Sequence, residues 1–135
     1  MVDLGLLVLR LVLGVIFIGH GAQKLFGSFG GPRISGFAKV LEQLGIKLAK
    51  PMAILAGLAE FVGGILVTLG FLTPLAALAL VVVMIVAVLT VHLKNGFFVT
   101  NGGYEFNLAL VGIALTLLIV GAGVYSLDSL LGIFW

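Results

Sequence analysis

Met52–Phe71 reads MAILAGLAEFVGGILVTLGF, and after Leu72-Thr73 the chain continues as Pro74–Leu93, PLAALALVVVMIVAVLTVHL. Glu60 is the one formal charge in these two runs. Each run is about 20 residues, roughly 30 Å as a helix, which matches the thickness of a bilayer's hydrocarbon core. Backbone polar groups in lipid must be satisfied within their own segment, so the runs are read as helices and not strands. Two residues join them, and Pro74 suits the first helical position, where its missing N–H costs nothing. A tight antiparallel hairpin follows.

Two further runs of the same kind flank it, Leu4–Gln23 and Phe106–Val124. The chain has 135 residues, 62% hydrophobic and 9% charged, against roughly 25% charged in soluble domains. The expected architecture is all-α: one integral membrane four-helix bundle spanning residues 1–135, with spans at about 4–23, 52–71, 74–93 and 106–124. Between the first two spans, Ile34, Phe37, Leu41, Leu44 and Leu48 recur at helical spacing, with Lys39, Glu42, Gln43 and Lys47 elsewhere on the wheel. That stretch predicts an amphipathic helix lying at the interface. The tail, ending Ile133-Phe134-Trp135, reads as an interfacial anchor.

Orientation follows from basic residues. Lys24, Arg33, Lys39, Lys47, Lys50 and Lys94 all fall in the two loops on one side. Positive-inside bias places those loops in the cytoplasm and both termini outside, in a multi-pass protein of the cell membrane. The N-terminus has no basic n-region and carries an arginine in its apolar run, so the first span is expected to remain in the mature protein. A net charge of +2 without a basic, aromatic-interleaved run gives no indication of nucleic acid as a partner. The absence of cysteine excludes disulfides, Fe–S ligation and thiol chemistry.

Ionisable groups at hydrocarbon depth mark functional sites unless they are paired. Arg10 and Glu60 are the two such groups. Their pairing is expected if their helix faces meet, either as a structural ion pair or as a coupled site in which Glu60 bridges to a cavity. On a helical wheel, Arg10, Gly14, Phe17, His20, Gly21 and Lys24 share a sector, as do Gly57, Glu60 and Gly64. Glu105, Ala109, Gly112 and Thr116 form a small-residue face that is expected to point inward. The third span, beyond Val81, is expected to face lipid over much of its surface.

Near the basic loops, His20, Gln23, Lys24, His92, Asn95, Asn101 and Glu105 supply polar groups, and Phe26, Phe29, Phe97, Phe98, Tyr104 and Phe106 supply aromatic faces. Apolar walls with a few convergent polar groups suit a flat, hydrogen-bonding ligand such as a quinone or catechol. Haem ligation by His20 and His92, or a metal completed by Glu105, are weaker readings of the same residues. His20 precedes Gly30-Gly31, and His92 precedes Gly102-Gly103, by the same interval. Parallel repeated hairpins would produce this echo, as would chance likeness between glycine-rich loops.

These residues carry a resemblance. Leu9-Arg10, then Gly19-His20-Gly21-Ala22-Gln23-Lys24-Leu25-Phe26-Gly27, then Leu55-Ala56-Gly57-Leu58-Ala59-Glu60 with Gly63-Gly64, and finally His92, Asn95-Gly96-Phe97-Phe98 and Gly102-Gly103-Tyr104-Glu105, resemble the DoxX family over nearly the whole chain. The resemblance implies a small four-helix membrane protein linked to oxidoreduction of quinones and to quinone or catechol stress. It supports Arg10, His20, Lys24, Glu60, His92 and Glu105 as the functional set. The expected proton-handling residues are Glu60, His20, His92 and Glu105. The expected ligand-binding residues are Arg10, Gln23, Lys24, Phe97, Phe98 and Asn101, with no metal. No flavin, nicotinamide or Fe–S motif is present, so electrons would come from a bound cofactor, a quinone exchanged with the membrane, or a partner subunit. The competing readings are a membrane scaffold for a soluble redox partner, and a small transporter with Arg10 and Glu60 along its path. Expected partners are the lipid bilayer, a small aromatic or quinone ligand, and a soluble redox protein or further copies of the chain.

Overall fold

The computed structural model describes residues 1–134; Trp135, part of the expected anchor, lies outside the described residues. Those residues form helices and turns, with no strand among them. Helix α1 spans Val2–Phe26, α2 Arg33–Gln43, α3 Ala49–Leu69, α4 Thr73–Ala87, α5 Glu105–Val120 and α6 Leu127–Leu131. Helix α4 continues through a π-helical turn, Val88–His92, and a short 3-10 turn to Asn95. Three segments are long and apolar enough to cross a membrane: Val2–Phe26, Ala49–Leu69 and Thr73–Asn95.

The expected fourth run is shorter than its composition implied. Helix α5 has 16 residues and stops at Val120, because Gly121 (φ 90°) and Gly123 (φ 85°) turn the backbone into the left-handed half of φ space. The chain then folds back across the end of the bundle. The expected amphipathic helix also stops early, at Gln43; Gly45 (φ 81°) and Leu48 (φ 56°) break it before α3 begins. Ala38 and Leu41 of α2 pack with Ala49 and Ala53 of α3, and Leu48 is exposed instead of sharing that face.

Helices α1 and α3 lie against each other because glycine lines both faces. A Cβ at Gly14 would stand 1.9 Å from Thr68 Oγ1, and one at Gly21 2.5 Å from the backbone nitrogen of Phe61. Dispersion between closely approaching backbones drives association where lipid offers no hydrophobic gradient. The expected glycine faces of α1 and α3 are therefore packed together, with Gly14 against Gly64 and Thr68 and Gly21 against Phe61.

Helix α4 buries Ala76, Ala77, Leu80, Val81 and Met84 in the main core with Leu13, Phe17 and Val67, while beyond Val81 it leaves Val82, Ile85, Val86 and Leu89 exposed, in line with the expected outward face. One expectation about faces fails. Helix α5 buries Asn107, Leu110, Ala114 and Leu117. The face through Gly112 and Thr116 points outward, and nothing lies within 4 Å of a Cβ built at Gly112. Helix α5 is apolar on nearly every side, so its hydrophobic periodicity gave no direction for which side is buried.

Candidate functional site

Arg10 and Glu60 do not meet. Arg10 is fully buried at the end of the bundle where the chain folds back, and its Nη2 donates to the Tyr125 carbonyl. Glu60 is also fully buried, but its Oε1 accepts from Lys24 Nζ. Fourteen residues of α1 separate Arg10 from Lys24, about 21 Å of helical rise. The expected Arg10–Glu60 pair is thus replaced by two separate polar clusters, one at each end.

The Arg10 cluster is built on the C-terminal segment. Asp128, only 3% exposed, accepts from Leu72 N at 2.7 Å and Thr73 N at 2.9 Å, which caps the start of α4. Its own backbone N–H donates to Gly70 O at 2.8 Å, and its charge acts on Arg10. Asp3 ties the same segment down by accepting from Val124 N at 3.0 Å. Gly70 (φ 67°) leaves the room that Arg10 Nη1 fills, 2.0 Å from where a Cβ would stand.

The Lys24 cluster borders a cavity of about 170 Å³. Its floor is Phe17, Met84, Asn107 and Leu110, all buried, and its rim is His20, Val99, Gly102 and Phe106, all exposed. Lys24 and His92 complete the polar lining. Lys24, 22% exposed, also lies 4.9 Å from the centroid of the Phe37 ring. Glu60 stands behind Lys24, and its second oxygen, Oε2, has no hydrogen-bond partner among the described residues. The His20 and Phe106 rings are 6.1 Å apart.

The loop between α4 and α5 forms one wall and is fastened by side chains. His92 Nδ1 bonds Gly102 O at 2.9 Å, and Asn95 Nδ2 donates to the same oxygen at 3.2 Å. A carbonyl only accepts, so this contact assigns the hydrogen to His92 Nδ1 and leaves Nε2 of the neutral ring as an acceptor. Glu105 Oε1 accepts from Val99 N at 3.1 Å. The π-helical turn ends at His92 itself, an irregularity often found where a helix presents a functional side chain.

Of the expected site residues, His20, Lys24 and His92 line the cavity, and Glu60 and Glu105 each bond one lining residue. Gln23, Phe97, Phe98 and Asn101 do not line it; Phe97 packs edge-on against Phe98 and Tyr104 within the loop. Asn107 and Asp128 were not anticipated. Asn107 is the lone carboxamide inside the last apolar run, and that polarity was the available signal. Asp128 follows the last run on the same side as Arg10, which made it a candidate counter-charge.

The DoxX family profile matches residues 5–93, which hold the first three long apolar runs and the glycine-lined faces of α1 and α3. The chain belongs to the DoxX family. This DoxX protein is 31% identical to "Putative oxidoreductase CatD" of Bacillus subtilis, over 93% of this chain and 86% of that protein. It is likewise 31% identical to "Inner membrane protein YqjF" of Escherichia coli, over 98% and 96%. "Uncharacterized membrane protein Rv3486" of Mycobacterium tuberculosis is 33% identical over 89% and 77%. No solved structure matches the chain significantly. The three long apolar helices and the family together make this DoxX chain a membrane protein. Among its described residues, no group of three His, Asp or Glu side chains is placed to hold a metal ion.

Proposed function

We propose that this DoxX protein binds a single-ring quinone or catechol-type compound in the cavity beside His20, Lys24 and His92, and that it takes part in membrane redox chemistry. The observation that carries this is the cavity itself, about 170 Å³ with apolar floor and polar walls. An apolar cavity of about 150 Å³ holds one benzene ring, so the space accommodates one ring. Bound there, a quinone supplies the two-electron, two-proton chemistry that the chain's own side chains lack. His92 Nε2 accepts a ring hydroxyl's hydrogen bond and then its proton. Lys24 donates to a ring oxygen while Glu60 holds it in place, and the second proton leaves to water at the exposed rim. Glu105 keeps Val99 in the wall. Electrons pass to an exchanging quinone or to a soluble partner.

In this reading four helices cross the bilayer as one domain, α5 with local thinning for its length. Helix α2 lies at the cytoplasmic interface, and both termini are outside. The name of the Bacillus subtilis relative agrees with redox chemistry. A second reading, a scaffold for a soluble redox protein, draws on the exposed Arg33, Lys39, Lys47, Lys50 and Lys94 near the cavity end.

Titrating methylhydroquinone against the protein in detergent separates the two. Losing one hydrogen bond costs about 0.5–1.5 kcal/mol, so His92→Ala is expected to weaken binding several-fold and His20→Ala less. Absence of binding to wild type, or equal affinity in all variants, overturns the ligand reading. Salt-sensitive capture of a soluble redox enzyme would then support the scaffold.

A further inference from the structure

We infer that Asn107 is the residue that lets this cavity hold both the oxidised and the reduced form of its ligand, an inference that rests on the ligand reading above. Asn107 is 7% exposed and belongs to the cavity floor. Its one hydrogen bond among the described residues runs from Nδ2 to the Met84 sulfur at 3.5 Å, and a thioether is a weak acceptor. A carboxamide buried among apolar groups is costly unless it is well bonded. Here its bonding capacity is nearly all unspent on the protein, and the cavity is where it is available.

The other polar groups on the walls are one-sided. Lys24, held by Glu60 as an ammonium, only donates. His92, with Nδ1 given to Gly102 O, offers Nε2 as an acceptor. A ring oxygen, however, changes role with redox state: a quinone carbonyl accepts, and a hydroxyl both donates and accepts. A fixed donor favours the oxidised form, and a fixed acceptor favours the reduced form. A carboxamide has an N–H₂ and a C=O on one rotatable group, so it serves either. Turning it over forfeits only the contact with Met84. Asn107 thus anchors one ring oxygen in both states, while Lys24 and His92 divide the other between them.

The test measures affinity for three probes, methyl-p-benzoquinone, methylhydroquinone and m-cresol, under anaerobic conditions in detergent. Asn107→Leu is expected to lose about two- to tenfold in affinity for both redox forms and to bind m-cresol nearly as wild type does. Asn107→Asp, assayed at a pH where the carboxylate is ionised so that it accepts and does not donate, is expected to retain methylhydroquinone and to lose methyl-p-benzoquinone by a larger factor. This second variant preserves size and serves if the leucine variant does not fold. Unchanged affinity for both redox forms in the aspartate variant, or equal losses of all three probes in the leucine variant, overturns the role of Asn107 and leaves the ligand reading standing. Failure of wild type to bind any probe overturns both.

Discussion

Lys24 and Glu60 form an ion pair with one member wholly buried, and breaking such a pair is harsher than replacing it. Lys24→Met alone strands the Glu60 carboxylate, and a loss of about 3–5 kcal/mol is expected in unfolding measured in detergent. Lys24→Met with Glu60→Leu should recover much of that, appearing as strong coupling in a double-mutant cycle. Arg10→Met combined with Glu60→Leu should instead be additive within about 0.5 kcal/mol, since the two side chains share no partner. Coupling between Arg10 and Glu60, or additivity between Lys24 and Glu60, would contradict the arrangement. Both buried charges were evident in the sequence as rare polar residues in apolar runs. Their partners were not, because Lys24 read as a ligand-binding group at the end of the first helix and Asp128 lies 118 residues from Arg10.

Among the elements, α4 depends on a residue far away for its start. Asp128 caps Leu72 and Thr73 from α6, so Asp128→Ala is expected to cost about 1–2 kcal/mol in thermal or denaturant unfolding, with Asp128→Asn milder. Equal stability of all three proteins would remove the cap from the account. The α1–α3 contact gives a paired test of which glycines matter. Gly21→Ala forces a methyl to 2.5 Å from the Phe61 backbone, and about 1–3 kcal/mol of destabilisation is expected. Gly112→Ala enters open space and should fall within about 0.5 kcal/mol of wild type. The reading of α5 from sequence chose the opposite face. Small residues at 109, 112 and 116 resembled a packing stripe, yet the structure buries 107, 110, 114 and 117. Lipid and core are equally apolar, so in such a helix one lone asparagine carried more information than the periodicity.

For the whole molecule, the basic residues of two loops against none on the opposite side predict that the cavity end faces the cytoplasm. Single cysteines at Ser28 and Thr100, in a chain without native cysteine, should resist impermeant reagents in intact cells and react after permeabilisation. Labelling from outside would invert the topology and put the cavity on the other face. The sequence by itself determined the helical class, the membrane solvent, the hairpin of α3 and α4, and the end of the bundle at which His20, Lys24 and His92 gather. Those are consequences of run length, local turn chemistry and helical rise, all of which act over short stretches of chain. Only the tertiary structure decided which charges pair, which side of α5 is buried, and that Asn107 lies in the cavity floor. Those outcomes depend on how helices rotate about their axes against one another. In an apolar solvent that rotation is set by close packing and a few hydrogen bonds between distant residues, not by any pattern within a single helix.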